Sequence, residues 1–249
     1  MNILVCVKRV PATGGKIDLT DDGLEIDTRY LGFTISPHEE CAVEEAVRLT
    51  EAQGGSSTVL TLGPTIAEEQ LRDAMAMGID NATLLETDGR EWDPAQTARA
   101  ITDAVRAKNF DVVLFGNEAA DTGDYQVGVR VAYALDWPCV TGIKSLVIEN
   151  GTATVKREAA GGWEVFQVPL PAVFTVKEGI NLPRYPPLMG RLKAKKKAIE
   201  RIQPQWSGNA LEKIQLKLPP DVGSQVEILG KGPDAALKVV DILRRIGAL

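Results

Sequence analysis

The chain predicts an α/β protein: a doubly wound, mainly parallel sheet with helices on both faces, small antiparallel strands, and a C-terminal arm ending in a helix. Three observations carry this. Short apolar, β-branched runs recur at residues 3–7, 58–62, 82–85 and 111–115. Helix-period segments lie between them, the alternation of a parallel sheet built from βαβ units. After Pro138 the rhythm changes to closely spaced short strands separated by turn residues.

Each element has its own signal. Residues 3–7 (ILVCV) form a first strand. Ser36-Pro37-His38-Glu39 then supplies a capping serine, proline at the first helical position and a glutamate three residues after the cap. The helix from Pro37 has Cys41, Ala42, Glu45, Ala46 and Leu49 at helical spacing and stops near Gly54-Gly55. Thr65-Ile66-Ala67-Glu68 offers another capping box, opening a helix over 66–77 that ends at Gly78. Asp93-Pro94-Ala95-Gln96 repeats the first layout for a helix over 94–107, and a fourth helix follows from about 124 to 135. Strands at 145–148, 152–156 and 165–168 are joined by the turns ENG (149–151) and AAGG (159–162), and 171–176 is a further apolar strand. A polar region rich in Pro and Gly covers 203–232. A final helix over 234–246 has Ala236, Val239, Val240 and Leu243 on one face, suited to packing on something else.

Composition narrows the function. With 249 residues, 44% hydrophobic and 25% charged, the chain matches an ordinary globular protein. No apolar run approaches the ~20 residues of a membrane span, and the N-terminus resembles a first strand rather than a signal peptide; a cytoplasmic location is expected. Cys6, Cys41 and Cys139 form no CxxC pair and His38 is the single histidine, so neither a disulfide framework nor a metal site is suggested. A net charge of −6 argues against nucleic-acid binding. No nucleophile–base pair stands out. His38 beside Glu39 has the place of a capping or surface residue, Cys6 and Cys139 of inert packing, and Glu39, Glu40, Glu44 and Glu45 of a solvated face spaced towards Arg48. No catalytic residue is assigned; a binding or carrier role fits better than an enzyme.

Two stretches invite a function. Ligands of open parallel sheets bind beyond the C-terminal strand ends, where the strand order reverses. The loop GNEAADTGDYQVG (116–128) joins an apolar strand to a helix, with Gly116 and Gly123 allowing close approach and Thr122, Asp124 and Gln126 offering polar groups near a helix N-terminus. A purely structural turn has much the same composition. The second stretch, PRYPPLMGRLKAKKKAIER (183–201), carries seven basic residues and one acidic in an acidic chain. A solvated lysine run, a nucleic-acid patch or an anionic-membrane patch are open for it. Its exposed apolar residues favour instead an anchor entering a partner's pocket inside a charged rim.

Nearly the whole chain resembles the beta subunit of an electron-transfer flavoprotein. The residues carrying this are ILVCVKRV, CAVEEAVRL, LRDAMAMGID, GNEAADTGDYQVG, LDWP, and above all VKREAAGGWEVFQVPLPAVFTV leading into NLPRYPPLMGRLKAKKKAIE. The resemblance implies a heterodimer with an alpha subunit that holds most of the redox-active FAD, and a structural AMP in the nucleotide-binding α/β domain of this chain. That domain would span 1–202, including a docking loop at 183–200, with 203–249 a linker and helical arm packing on the alpha subunit. Carried over residue by residue, the cofactor-binding positions are Cys6, Ser36, Pro37, His38, Glu39 and Leu62, and the phosphate loop of Gly116, Asn117, Glu118, Ala119, Ala120, Asp121, Thr122, Gly123, Asp124, Tyr125, Gln126 and Val127.

The docking positions implied are Pro187, Leu188, Met189, Arg191, Lys193 and Lys196, with Leu188 as anchor for acyl-CoA dehydrogenase-type partners and a membrane quinone reductase as acceptor. Departures from the family pattern are Ser36 in place of Asn, His38 and the neighbourhood of Thr13 in place of aromatic residues, and Met189-Gly190 in place of Pro-Asn. Flavin-bifurcating members hold a second FAD instead of AMP and have a small residue where this chain has Tyr125, which favours AMP here. That second FAD, and a nucleotide-binding module of the universal-stress kind, stand as alternatives.

Overall fold

In the computed structural model, residues 1–12, 14–220 and 227–249 are described; Thr13 and part of the 203–232 region lie outside them. The chain divides into two compact units, Met1–Gln215 and Leu216–Leu249.

In the first unit the strands are β1 (Asn2–Cys6), β2 (Val10–Pro11), β3 (Phe33–Thr34), β4 (Ser56–Gly63), β5 (Asn81–Glu86), β6 (Val112–Gly116), β7 (Cys139–Glu149), β8 (Thr152–Ala159), β9 (Gly162–Pro169), β10 (Ala172–Val176) and β11 (Glu200–Ile202). The helices are α1 (Pro37–Gln53), α2 (Glu68–Met77), α3 (Pro94–Arg106), α4 (Val127–Leu135) and α5 (Leu188–Ala194). Nine strands make one sheet in the order β11-β5-β4-β1-β6-β10-β7-β8-β9. The first seven run parallel and the last two add an antiparallel hairpin; β2 and β3 pair separately.

The central strands are apolar almost continuously because both of their faces are covered. Ile3, Val5 and Val59 face a cluster with α1 and α2 residues such as Val43 and Leu71. Leu4, Leu60 and Val113 face the other, with Ile101 of α3 and Val131 of α4. From β1 the chain steps through β4 to β5 on one side, then returns to lay β6 on the other side of β1. The strand order therefore reverses between β1 and β6, and the crevice there is the expected ligand position.

The structure corrects several expectations. The Thr65 capping box does not form: Thr65–Ala67 is a 3₁₀ turn without a side-chain cap, and the Thr65 hydroxyl donates instead to Glu86 at 2.6 Å. The fourth helix begins at Val127, because Tyr125 takes a left-handed conformation (φ 55°) that no helix continues through. The glutamates of α1 are not a solvated face: Glu39, Glu44 and Glu45 are buried. Glu44 is paired by Arg184, whose guanidinium also reaches Glu51 at 2.7 Å, and Glu45 accepts from Asn181. These contacts come from a segment 130 or more residues away, so helical spacing could not show them. α5 and β11, which no local sequence signal predicts, occupy the basic stretch and its end.

In the second unit, α6 (Ala235–Arg245) has no buried residue, and Leu237, Val239 and Ile246 are exposed.

Candidate functional site at the C-terminal edge of the sheet

Three segments converge on the crevice. Cys6 ends β1, in register with Leu60 of β4 and Phe115 of β6, so Leu62 and Gly116 lie just beyond it on either side. The third segment is the start of α1. Ser36 is its N-cap: its hydroxyl accepts from the Glu39 N–H at 3.2 Å, while the Glu39 carboxylate accepts from the Ser36 N–H at 2.9 Å. In an ordinary capping box the glutamate goes no further. Here its other oxygen accepts the N–H of Lys8, past the end of β1, at 3.0 Å.

Gly116 rests directly on this side chain. A Cβ there would lie 2.6 Å from Glu39 Cγ and 3.3 Å from His38 Cβ, so only glycine lets the loop start this close to α1. Ser36 Oγ donates to the Glu118 carbonyl at 3.3 Å, and His38 spans two segments: Nδ1 accepts from the Glu178 N–H at 2.8 Å and Nε2 lies 3.3 Å from Glu118 Oε1. His38 is thus a half-buried tie rather than a surface cap. Hydrogen bonds from Tyr125 and then His38 hold the Glu118 carboxylate below its usual range.

Electrostatics separate two kinds of group here. Burial pushes Glu39 up to about 8, against the N–H bonds from Ser36 and Lys8 that favour its ionised form. Burial also raises the Cys6 thiol, and takes Cys139 to about 11, so neither is a ready thiolate. Among the described residues no group of three or more His, Cys, Asp or Glu could hold a metal ion, and no helix is long and apolar enough to cross a membrane.

The residues expected to form a phosphate loop run from Gly116 at the end of β6 to Val127 at the start of α4. Among them, Asn117 and Gly123 donate their N–H groups to the Val176 and Ala119 carbonyls. The N-terminus of α4 has no side-chain cap, so free N–H groups remain there for a ligand. Two residues that no sequence motif marks also belong to this edge. Lys8 pairs with Asp121 at 2.8 Å, and its only signal was a lysine placed immediately after the first apolar run. Thr175, buried in β10, accepts from the Gly142 N–H and donates to Asn117 Oδ1, both at 2.8 Å; a hydroxyl inside the apolar AVFTV was the signal.

The residues expected to dock a partner sit elsewhere, on α5 and close to it. Leu188 and Met189 are 73% and 63% exposed. Pro187 is the N-cap of α5, and Arg191 lies over the Tyr185 ring at 5.7 Å. Lys193 and Lys196 are exposed, whereas Lys197 is spent on the Ile79 and Asp80 carbonyls behind α2, and Arg201 on Glu68 and Glu86.

Known proteins resemble the chain over most of its length. The profile of the electron transfer flavoprotein domain matches residues 23–205. The electron transfer flavoprotein subunit beta of Bacillus subtilis (strain 168) is 36% identical over 258 residues, covering 98% of each chain. The human protein of that name is 35% identical over 92% of each, and that of Syntrophomonas wolfei 34% identical over 98% of this chain and 96% of its own. The chain belongs to the electron transfer flavoprotein beta-subunit family.

Proposed function

We propose that this chain, with an alpha subunit, forms an electron carrier in which it binds AMP as a structural ligand and supports an FAD held mainly by its partner. It docks acyl-CoA dehydrogenase-type enzymes through residues 183–200 and passes their electrons towards a membrane quinone reductase. The observation that carries the AMP reading is the convergence of Cys6, Leu62, the start of α1 and the loop after Gly116 on one crevice, beside an uncapped helix N-terminus. Free backbone N–H groups at a positive helix end suit a phosphate, and the apolar strand ends suit a base. The flavin supplies the redox chemistry when bound. The residues of this chain bind, orient and exclude water, in keeping with thiols that burial keeps protonated.

A second reading, with FAD in place of AMP, keeps one observation in its favour. Tyr125, the bulky residue that would argue against a larger nucleotide, is 57% exposed rather than filling the crevice. Co-expression with the alpha subunit, followed by mass identification of the released nucleotides, separates the two. One FAD and one AMP per heterodimer is expected; two FAD would replace the first reading by the second, and a homodimer without flavin would overturn both.

A further inference from the structure

Residues 116–127 carry Glu118, Asp121 and Asp124 and no basic side chain. A nucleoside phosphate brought to this loop would meet net negative charge unless a cation came from elsewhere in the fold. His38 is committed to Glu118 and to the Glu178 N–H, and Lys177 acts on Glu118. The cation directed at the middle of the loop is Lys8, whose Nζ lies 2.8 Å from Asp121.

Lys8 is held from both ends. Its N–H is fixed by the buried Glu39 carboxylate, which also holds the Ser36 N–H and carries Gly116 against its Cγ. The ammonium is therefore mounted on the one strut that joins the end of β1, the start of α1 and the start of the loop. Its side chain is 42% exposed, and an ammonium has three donors, so the bond to Asp121 leaves others open.

We propose that Lys8 is the specificity-determining residue for the phosphate of the bound nucleotide: it draws the loop to β1 through Asp121 and turns its remaining donors to a nucleoside phosphate monoester. The inference rests on the AMP reading of this site, and the test keeps the two apart. The co-expressed heterodimer, freed of nucleotide, is titrated calorimetrically with AMP and with adenosine. Lys8→Met is expected to lower AMP affinity about tenfold, the worth of one charge-assisted hydrogen bond, while adenosine affinity changes less than about twofold. Lys8→Arg should restore most of the loss. Equal losses for AMP and adenosine in Lys8→Met would show a merely structural role and overturn the proposal. A wild-type heterodimer that binds neither compound would overturn the AMP reading itself.

Discussion

Glu39 shows how much one side chain can organise. Its two oxygens and its Cγ touch three different segments of the crevice, and burial raises its carboxyl from an ordinary 4.5 to about 8. Between those values the folded chain binds more protons at Glu39 than the unfolded chain does, so its contribution to stability is fully present below about pH 4.5 and is lost as pH rises through about 8. Thermal unfolding of the heterodimer from pH 5 to 9 should show this decline, and Glu39→Gln, which cannot ionise, should flatten it; an unchanged slope would mean that other groups set the pH dependence. Site residues were legible to different degrees. Ser36, Pro37 and Glu39 announced themselves because a capping box is local chemistry within four residues. Lys8 and Thr175 did not, since their partners Asp121 and Asn117 come from β6's loop, more than 50 residues away. No periodicity encodes such a pairing.

α5 was the least legible element. It has seven residues, begins after two prolines and contains Gly190, all poor helix signals. What holds it is contact: Ala194 is buried in the core, Arg72 of α2 donates to the Ala194 carbonyl at 2.6 Å, and Gly190 lies so close to α2 that a Cβ would sit 2.3 Å from the Ala76 carbonyl oxygen. Intrinsic propensity alone would make Gly190→Ala stabilising by about 1 kcal/mol. The backbone collision reverses the sign, and a loss of about 1–3 kcal/mol in urea unfolding is expected; a gain would show that α5 rides free of α2. The strands β1, β4, β5, β6 and β10 and the helices α1 to α4, by contrast, were evident to within a few residues, because buried strands need unbroken apolar runs and helices need an apolar stripe. Only their ends moved, where tertiary partners displaced local ones, as Glu86 did for the Thr65 hydroxyl.

For the whole molecule, the basic stretch resolves into two populations. Arg184, Lys197 and Arg201 are bound to the chain's own carboxylates and carbonyls, whereas Arg191, Lys193, Lys195 and Lys196 stay exposed near Leu188 and Met189. In the docking role proposed above, the second group is placed to steer an acidic partner and the apolar pair to anchor it. Leu188→Ala in the heterodimer should therefore slow electron transfer from an acyl-CoA dehydrogenase several-fold while FAD and AMP content stay constant; an unaltered rate would remove Leu188 from the docking role. At the far end of the first unit, Asp93 of the α3 cap accepts not only the Gln96 N–H but also those of Ala210 at 2.6 Å and Leu211 at 3.2 Å, and its own N–H is held by Asn209. The C-terminal chain is thus a leash whose post is a helix cap. Tension applied beyond Gln215 would be felt at the Lys213 ion pairs with Glu25 and Glu91 and then at the start of α3, on the C-terminal edge of the sheet, before it reached β11 where the strand order ends.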